Sequence, residues 1–170
     1  MLKLVKLERK YYPLLLDMME EWTATGETII PYAIRKNDYR SFDKYLRELD
    51  NTDTSNGMVP DSTYFCLDTD RNVFVGAVNI RHYLNEDLLL HGGHIGDGVR
   101  PSERRKGIAT HMIGLALEIC REMGMDKVLM TCNKMNIGSA GSIRNNGGVL
   151  KDEVTEGPTV TQRYWIDLKK

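Results

Sequence analysis

The chain has 170 residues, enough to bury a sizeable core without disulfide or metal staples, and is expected to form a single domain over residues 1–170. Hydrophobic residues make up 41% and charged residues 28%, with a formal net charge of −1, so no whole-molecule field draws the chain to nucleic acid or to an anionic membrane. The three cysteines, Cys66, Cys120 and Cys132, are odd in number and widely spaced, which implies neither a disulfide framework nor a zinc knuckle and fits a cytoplasmic location. Charges interrupt the opening Met-Leu-Lys-Leu-Val-Lys-Leu, so neither a signal peptide nor a membrane span is expected there or later.

Leu2, Leu4 and Leu7, mixed with Val5 and lysines, predict a short first strand. Tyr11, Leu15, Met18 and Trp22 recur at helical spacing, with Leu14 and Met19 alongside, and Gly26 ends that helix. Phe42, Tyr45, Leu46 and Leu49 mark a second amphipathic helix capped by Asn37 or Asp38, and 50–57 is a polar loop. The methionine and aromatic stripes of both helices read as core. The period then shortens. Ser62 to Leu67 and Val73 to Tyr83 are strands joined by turn residues, and a third strand follows from Leu89 to Val99, interrupted by Gly92, Gly93, Gly96 and Gly98. Ile108 to Met123 returns to the helical period through Met112, Ala116 and Ile119, and Gly124 stops it. Lys127 to Cys132 reads as a strand, Ser139 to Asn146 as a short helix, and Val149 to Val154 with Val160 to Leu168 as a hairpin around Gly157-Pro158.

The element order is therefore β-α-α-β-β-β-α-β-α-β-β. An antiparallel meander precedes a strand–helix–strand crossover, which is right-handed and joins parallel strands. The expected fold is α/β, a sandwich of the α+β kind. Its central sheet is mixed and mostly antiparallel, its fourth and fifth strands are parallel, and helices cover both faces.

The stretch Gly98-Val99-Arg100-Pro101-Ser102-Glu103-Arg104-Arg105-Lys106-Gly107-Ile108-Ala109-Thr110 lies between a strand end and a helix start. The first turn of a helix offers unpaired N–H groups and the positive end of its dipole, which together favour a phosphate. Gly107 lets the backbone approach closely, small Ala109 avoids a clash, and Arg104, Arg105 and Lys106 add positive charge beside a pyrophosphate. A solvated basic loop has the same composition, so the spacing has to distinguish the two. No Gly-Lys-Ser/Thr follows a glycine-rich run, and the three-glycine dinucleotide pattern is missing.

The spacing resembles the acetyl-CoA signature of the GNAT N-acetyltransferases, Gln/Arg-x-x-Gly-x-Gly/Ala, matched by Arg104, Gly107 and Ala109 between the fourth strand and the third helix. The resemblance in element order covers nearly the whole chain. It implies acetyl-CoA as cosubstrate, no metal, and a pyrophosphate held by backbone N–H groups from Arg104 through Arg105, Lys106, Gly107, Ile108 and Ala109 to Thr110. It also implies a bulged fourth strand that splays from the fifth and pairs with the pantetheine arm. Gly96 and Gly98 suit a bulge, which makes Gly98 and Val99 the expected pantetheine contacts. A second segment, 133–148, resembles the family's Asn-x-x-Ser/Ala helix. There Asn136 is expected either to bond the pantetheine or to cap the helix, and Ser139 and Ser142 to face the coenzyme. Many members place a proton-donating tyrosine where this chain has Ile143, and Gly148 replaces the usual aromatic residue.

The implied reaction is attack of an amine on a thioester, which needs a group to accept the amine's proton. Candidates are His94, with an imidazole that titrates near neutrality, Glu27 between the first two helices, and Asp97 on the glycine-rich strand. Hydrogen-bonded strand, solvated loop and bulge-stabilising roles are the respective alternatives. His91 and His94 are no metal pair, because residues three apart on a strand face opposite sides. The expected partner is a small-molecule or peptide amine, and a homodimer is in keeping with the family. The other reading is a coenzyme-binding GNAT-like module without catalysis, acting as a sensor or in assembly.

Overall fold

The computed structural model describes residues 1–169. Its strands are β1 (Leu2–Val5), β2 (Asp61–Asp68), β3 (Val73–Arg81), β4 (Ile95–Val99), β5 (Lys127–Asn133), β6 (Val149–Glu156) and β7 (Thr159–Asp167). Its helices are α1 (Tyr12–Ala24), the single turn α2 (Tyr32–Arg35), α3 (Phe42–Glu48), α4 (Ile108–Glu122) and α5 (Ile137–Asn145). Strands β1-β2-β3-β4 form one antiparallel sheet and β5-β7-β6 a second. Among the described residues no helix is long and apolar enough to cross a membrane.

Alternation along β2 sorts the core into two layers. Phe65 and Leu67 point toward α1 and α3, where Leu15, Met18, Trp22, Phe42, Tyr45 and Phe74 bury. Cys66 points the other way, toward α4 and α5, with Val78, Ile80, Met112, Ile113, Ala116, Ile143 and Tyr164. The Phe65 and Phe74 rings stack at 5.0 Å across the β2–β3 pair. Helix α4 presents Met112, Ile113, Ala116, Leu117 and Cys120 on its buried stripe, the face anticipated from its period.

Four expectations need correction. Leu88–Gly92 forms a turn of π-helix rather than strand, so β4 is only five residues long. The β3–β4 register runs unbroken from Gly76–Val99 to Ile80–Ile95, so Gly96 and Gly98 make no bulge. The irregularity lies one strand further in, where Cys66 pairs with Gly76 and Leu67 with Phe74, leaving Val75 as the extra residue. Third, the strands form two antiparallel sheets rather than one mixed central sheet, with β4 and β5 at their facing edges. The second helix is also capped by Ser41 without a side-chain bond, while Asp38 accepts from the Arg40 N–H in the turn before it.

The two sheets touch where β4 begins. Gly93 has φ +67°, and a Cβ there would lie 2.5 Å from the Leu129 carbonyl oxygen. Only glycine allows both the left-handed turn and that approach. Gly93→Ala is expected to cost about 1–3 kcal/mol of stability, read from urea denaturation midpoints; an unchanged midpoint would remove this junction from the account of the fold.

Candidate active site

The cleft between β4 and β5 follows from hydrogen-bond parity. Arg81 N–H donates to His94 O and Arg100 N–H to Val75 O, and antiparallel pairs alternate between bonded and unbonded. The main-chain groups of Gly96 and Gly98 therefore face β3, while those of Ile95, Asp97 and Val99 face outward. On the other wall, Lys134 N–H donates to Val160 O and Leu168 N–H to Asp126 O, so Thr131 and Asn133 face the same gap. The walls meet at one point, where His94 N–H donates to Leu129 O at 2.7 Å. Beyond it opens a cavity of about 300 Å³ lined by Gly96 and Asp97 on β4, Thr131, Cys132 and Asn133 on β5, and Asn136 and Ser139 on α5.

His94 closes the point of this cleft. Its Nδ1 accepts from the Leu129 N–H at 2.9 Å, replacing the carbonyl that a ladder would have supplied. Burial pushes its imidazole down to about 4. A neutral ring with its lone pair already used is a poor proton acceptor, and both features count against His94 as the base. Glu27, the other expected base, receives two hydrogen bonds from Arg104, at 2.7 and 3.0 Å. The Arg104 guanidinium lowers its carboxyl, which makes it a weaker base still. Asp97 lines the cleft, and burial raises its carboxyl to about 6, with Arg81 offsetting only part of the shift. It makes no hydrogen bond or ion pair among the described residues.

The signature loop is pinned from α1. Glu21 receives hydrogen bonds from the Ser102 N–H, the Ser102 hydroxyl and Arg100 Nε, at 2.9–3.0 Å. Buried Arg100 also pairs with Asp17 at 2.9 Å. Lys106 pairs with buried Glu103, which Arg71 also holds. Downstream of this brace the chain turns through left-handed conformations at Arg105, φ +63°, and Gly107, φ +77°. The N–H groups from Arg105 to Thr110 have no hydrogen-bond partner among the described residues, and the first one satisfied is that of His111, donating to Gly107 O. Nothing lies within 4 Å of where a Gly107 Cβ would stand. Beside this array is a concavity lined by Val99, Arg104, Arg105, Gly107, Ile108, Ala109 and Ser142. Unpaired N–H groups at a helix start, with open space before them, suit a pyrophosphate.

The remaining expected residues fall around these two spaces. Val99 lies on the outward side of β4, whereas Gly98 is turned to β3 and packed under Ile30, with 2.1 Å between its would-be Cβ and the Ile30 carbonyl oxygen. Asn136 caps α5, its Oδ1 accepting from the Ser139 N–H at 3.0 Å, while both residues line the cleft. Ser142 accepts from the Thr110 hydroxyl at 3.2 Å and joins α5 to α4. Ile143 is wholly buried in the core, so no side chain from that position reaches the cleft.

A second cavity, of about 290 Å³, adjoins the cleft on the α2 side, lined by Tyr32, Ala33, Met58, Val59 and Leu88 together with Lys36, Asp61, Arg81 and Asp87. Among the described residues only Tyr32 and Arg81 line both spaces. These two were not legible in the sequence. Tyr32 sits on an unforeseen single turn, and Arg81 reads as the polar end of an apolar strand. Its charge directly before the His82-Tyr83 pair was the only available signal.

The profile of the acetyltransferase (GNAT) family matches residues 15–145, and the chain belongs to that family. It is thus an acetyltransferase by descent, from a family whose acyl donor is acetyl-CoA. No curated protein sequence matches it significantly. Solved structures share its fold. The ribosomal-protein-S5-alanine acetyltransferase of Vibrio fischeri aligns with TM-score 0.70 and 12% identity over 99% of this chain and 93% of that one. The ribosomal L7/L12 α-N-protein acetyltransferase RimL, solved with coenzyme A, aligns at 0.68 and 14% over 98% and 93%. A spermidine N-acetyltransferase chimera of Vibrio cholerae and hSSAT aligns at 0.65 and 14% over 98% and 95%.

Because the folded state holds the His94 imidazole near 4 and the unfolded chain lets it titrate near 6.5, the unfolded state takes up the proton first as pH falls. This contribution is fully present above 6.5 and lost between 6.5 and 4. Stability measured by urea at pH 7.5 and 5 should therefore fall less in His94→Gln than in the wild type; equal falls would show that His94 is not held neutral.

Proposed function

We propose that this chain transfers an acetyl group from acetyl-CoA to a primary amine, with the coenzyme along the β4–β5 cleft and the amine entering from the Tyr32–Arg81 side. The observation that supports this most is a pair of unpaired main-chain sets that flank the cleft. One is the Arg105–Thr110 N–H array, and the other is the outward edge of β4 at Asp97 and Val99. A pantetheine arm would add to that edge as a strand does, and the N–H array would take the pyrophosphate. When bound, acetyl-CoA supplies the acetyl group as a thioester, whose carbon–sulfur bond is exchanged for a carbon–nitrogen bond to the amine with release of the free thiol.

The residues divide the remaining work. Asp97 accepts the proton of the arriving ammonium, and the second proton lost by nitrogen balances the one gained by sulfur. At neutral pH Asp97 is ionised yet unpaired, the state a general base needs. His94 fixes the point from which the cleft diverges. The outward N–H groups of β4 are the donors available to the thioester carbonyl. Ile143 offers no proton to the sulfur, and a thiolate leaves without such help more readily than an alkoxide would. The spermidine and ribosomal-protein acetyltransferases of similar fold act on amines of different kinds, so the acceptor has to be sought in the Tyr32–Arg81 cavity.

Release of thiol from acetyl-CoA that depends on an added amine tests the reaction. Binding of coenzyme without amine-dependent release from any amine of a broad panel would overturn it. Asp97→Asn should lower kcat by about 10²–10⁴-fold while leaving coenzyme affinity within about twofold of wild type. In the wild type, loss of kcat/KM with falling pH should steepen below about 6, where Asp97 takes up its proton; Asp97→Asn should lack that break. Glu27→Gln separates the two carboxylates. It should tighten coenzyme binding severalfold by freeing Arg104 and keep most of the activity, whereas a large fall in kcat would return the base to Glu27. Gly107→Val should weaken coenzyme binding by more than tenfold in a folded protein, and unchanged affinity would exclude the pyrophosphate site.

A further inference from the structure

Arg81 is a charged side chain whose surroundings leave it incomplete. It ends β3, and its guanidinium reaches over the turn that opens β4, where Nη1 donates to Gly92 O at 3.1 Å and Gly93 O at 3.4 Å. Nε and Nη2 have no partner among the described residues, and no carboxylate lies within ion-pair distance. Asp61 and Asp97 favour its charge from further off. Gly96 keeps its outer edge bare, since a Cβ there would come within 3.0 Å of Nη2. A partly buried cation without a counterion carries a desolvation cost, and proteins normally pair such groups. A guanidinium with its Nε–Nη2 edge free presents the planar fork that a carboxylate fills.

Position narrows the ligand further. Arg81 lies where the outer cavity joins the cleft, so a carboxylate bound there sits at the threshold of the reacting gap. An amine one carbon from that carboxylate would reach into the gap that Asp97 lines. The rest of the molecule would extend into the outer cavity, between the apolar wall of Tyr32, Met58, Val59 and Leu88 and the charged groups Lys36, Asp61 and Asp87. These charges sum to zero with Arg81, which suits a zwitterion better than a polycation.

We infer that Arg81 binds the carboxylate of the acceptor and that the acceptor is an α-amino acid with its carboxylate free. This rests on the N-acetyltransferase reading. The alternative is that Arg81 only braces the Gly92–Gly93 turn. The test compares the common α-amino acids with their carboxamides, by amine-dependent thiol release and by thermal shift of the coenzyme-A-loaded protein. The wild type should prefer the free acids by roughly 10- to 100-fold in kcat/KM, the worth of a charge-assisted hydrogen bond. Arg81→Gln should bring that ratio to about one, Arg81→Lys should restore part of it, and KM for acetyl-CoA should stay within about twofold in both.

Amides used as well as acids, or a loss in Arg81→Gln that falls equally on both, would overturn the inference and leave the acetyltransferase reading intact. If no amine reacts, yet acids and not amides raise the melting temperature in an Arg81-dependent way, the carboxylate site stands and the reaction falls. If acids neither react nor bind, the inference is wrong.

Discussion

The site depends on a single contact between two sheets that otherwise do not pair. His94 joins Leu129 through its backbone N–H and again through its ring, and from that point β4 and β5 separate. A full ladder would satisfy the strand edges internally and leave no opening. A looser junction would let the two sheets drift. The imidazole closes one step of the ladder and no more, since a side-chain acceptor cannot propagate pairing to the next residue. Gly93 makes the approach sterically allowed, and the Thr131 hydroxyl, donating to His91 O at 2.7 Å, fastens the same corner from β5.

Around that pivot the polar groups fall into two classes. Those that hold the loops are satisfied within the protein: Arg100 with Asp17 and Glu21, Glu103 with Arg71 and Lys106, Asn136 with the α5 N-terminus. Several of those that face the cleft are not. The N–H array after Arg104, the Asp97 carboxylate and the Nε–Nη2 edge of Arg81 all lack protein partners among the described residues. Arg104 stands between the classes. Its pair with Glu27 is half exposed, with side chains 41% and 43% accessible, so it is weak and easily exchanged for a phosphate.

Much of this was legible in the sequence because local rules govern it. The stripe of α4, the Phe42–Glu48 helix, the hairpin at Gly157 and the Arg104–Ala109 segment each follow from residues close together in the chain. The errors come from tertiary partners. Leu88–Gly92 reads as strand by its apolar run but winds into a turn that presents its carbonyls to Arg81. The glycines of β4 read as bulge-formers, yet Gly98 is small because Ile30 presses on it and Gly96 because Arg81 crosses it. His94 has the pKa of a base on paper, and burial against β5 removes that property. Asp97 reads in sequence as one candidate carboxylate among glycines, and only the parting of the sheets shows that it lines the cleft.

The unpaired charges also bear on how long the protein lasts. Asp97 ionises less readily in the fold than in the open chain, and Arg81 is partly buried without a counterion among the described residues, so both weigh against the native state at neutral pH. A ligand that neutralises them binds the native state alone and shifts the folding balance in its favour by mass action. The lifetime of this protein in a cell would then follow the supply of what it acts on, with starved copies opening first to proteases.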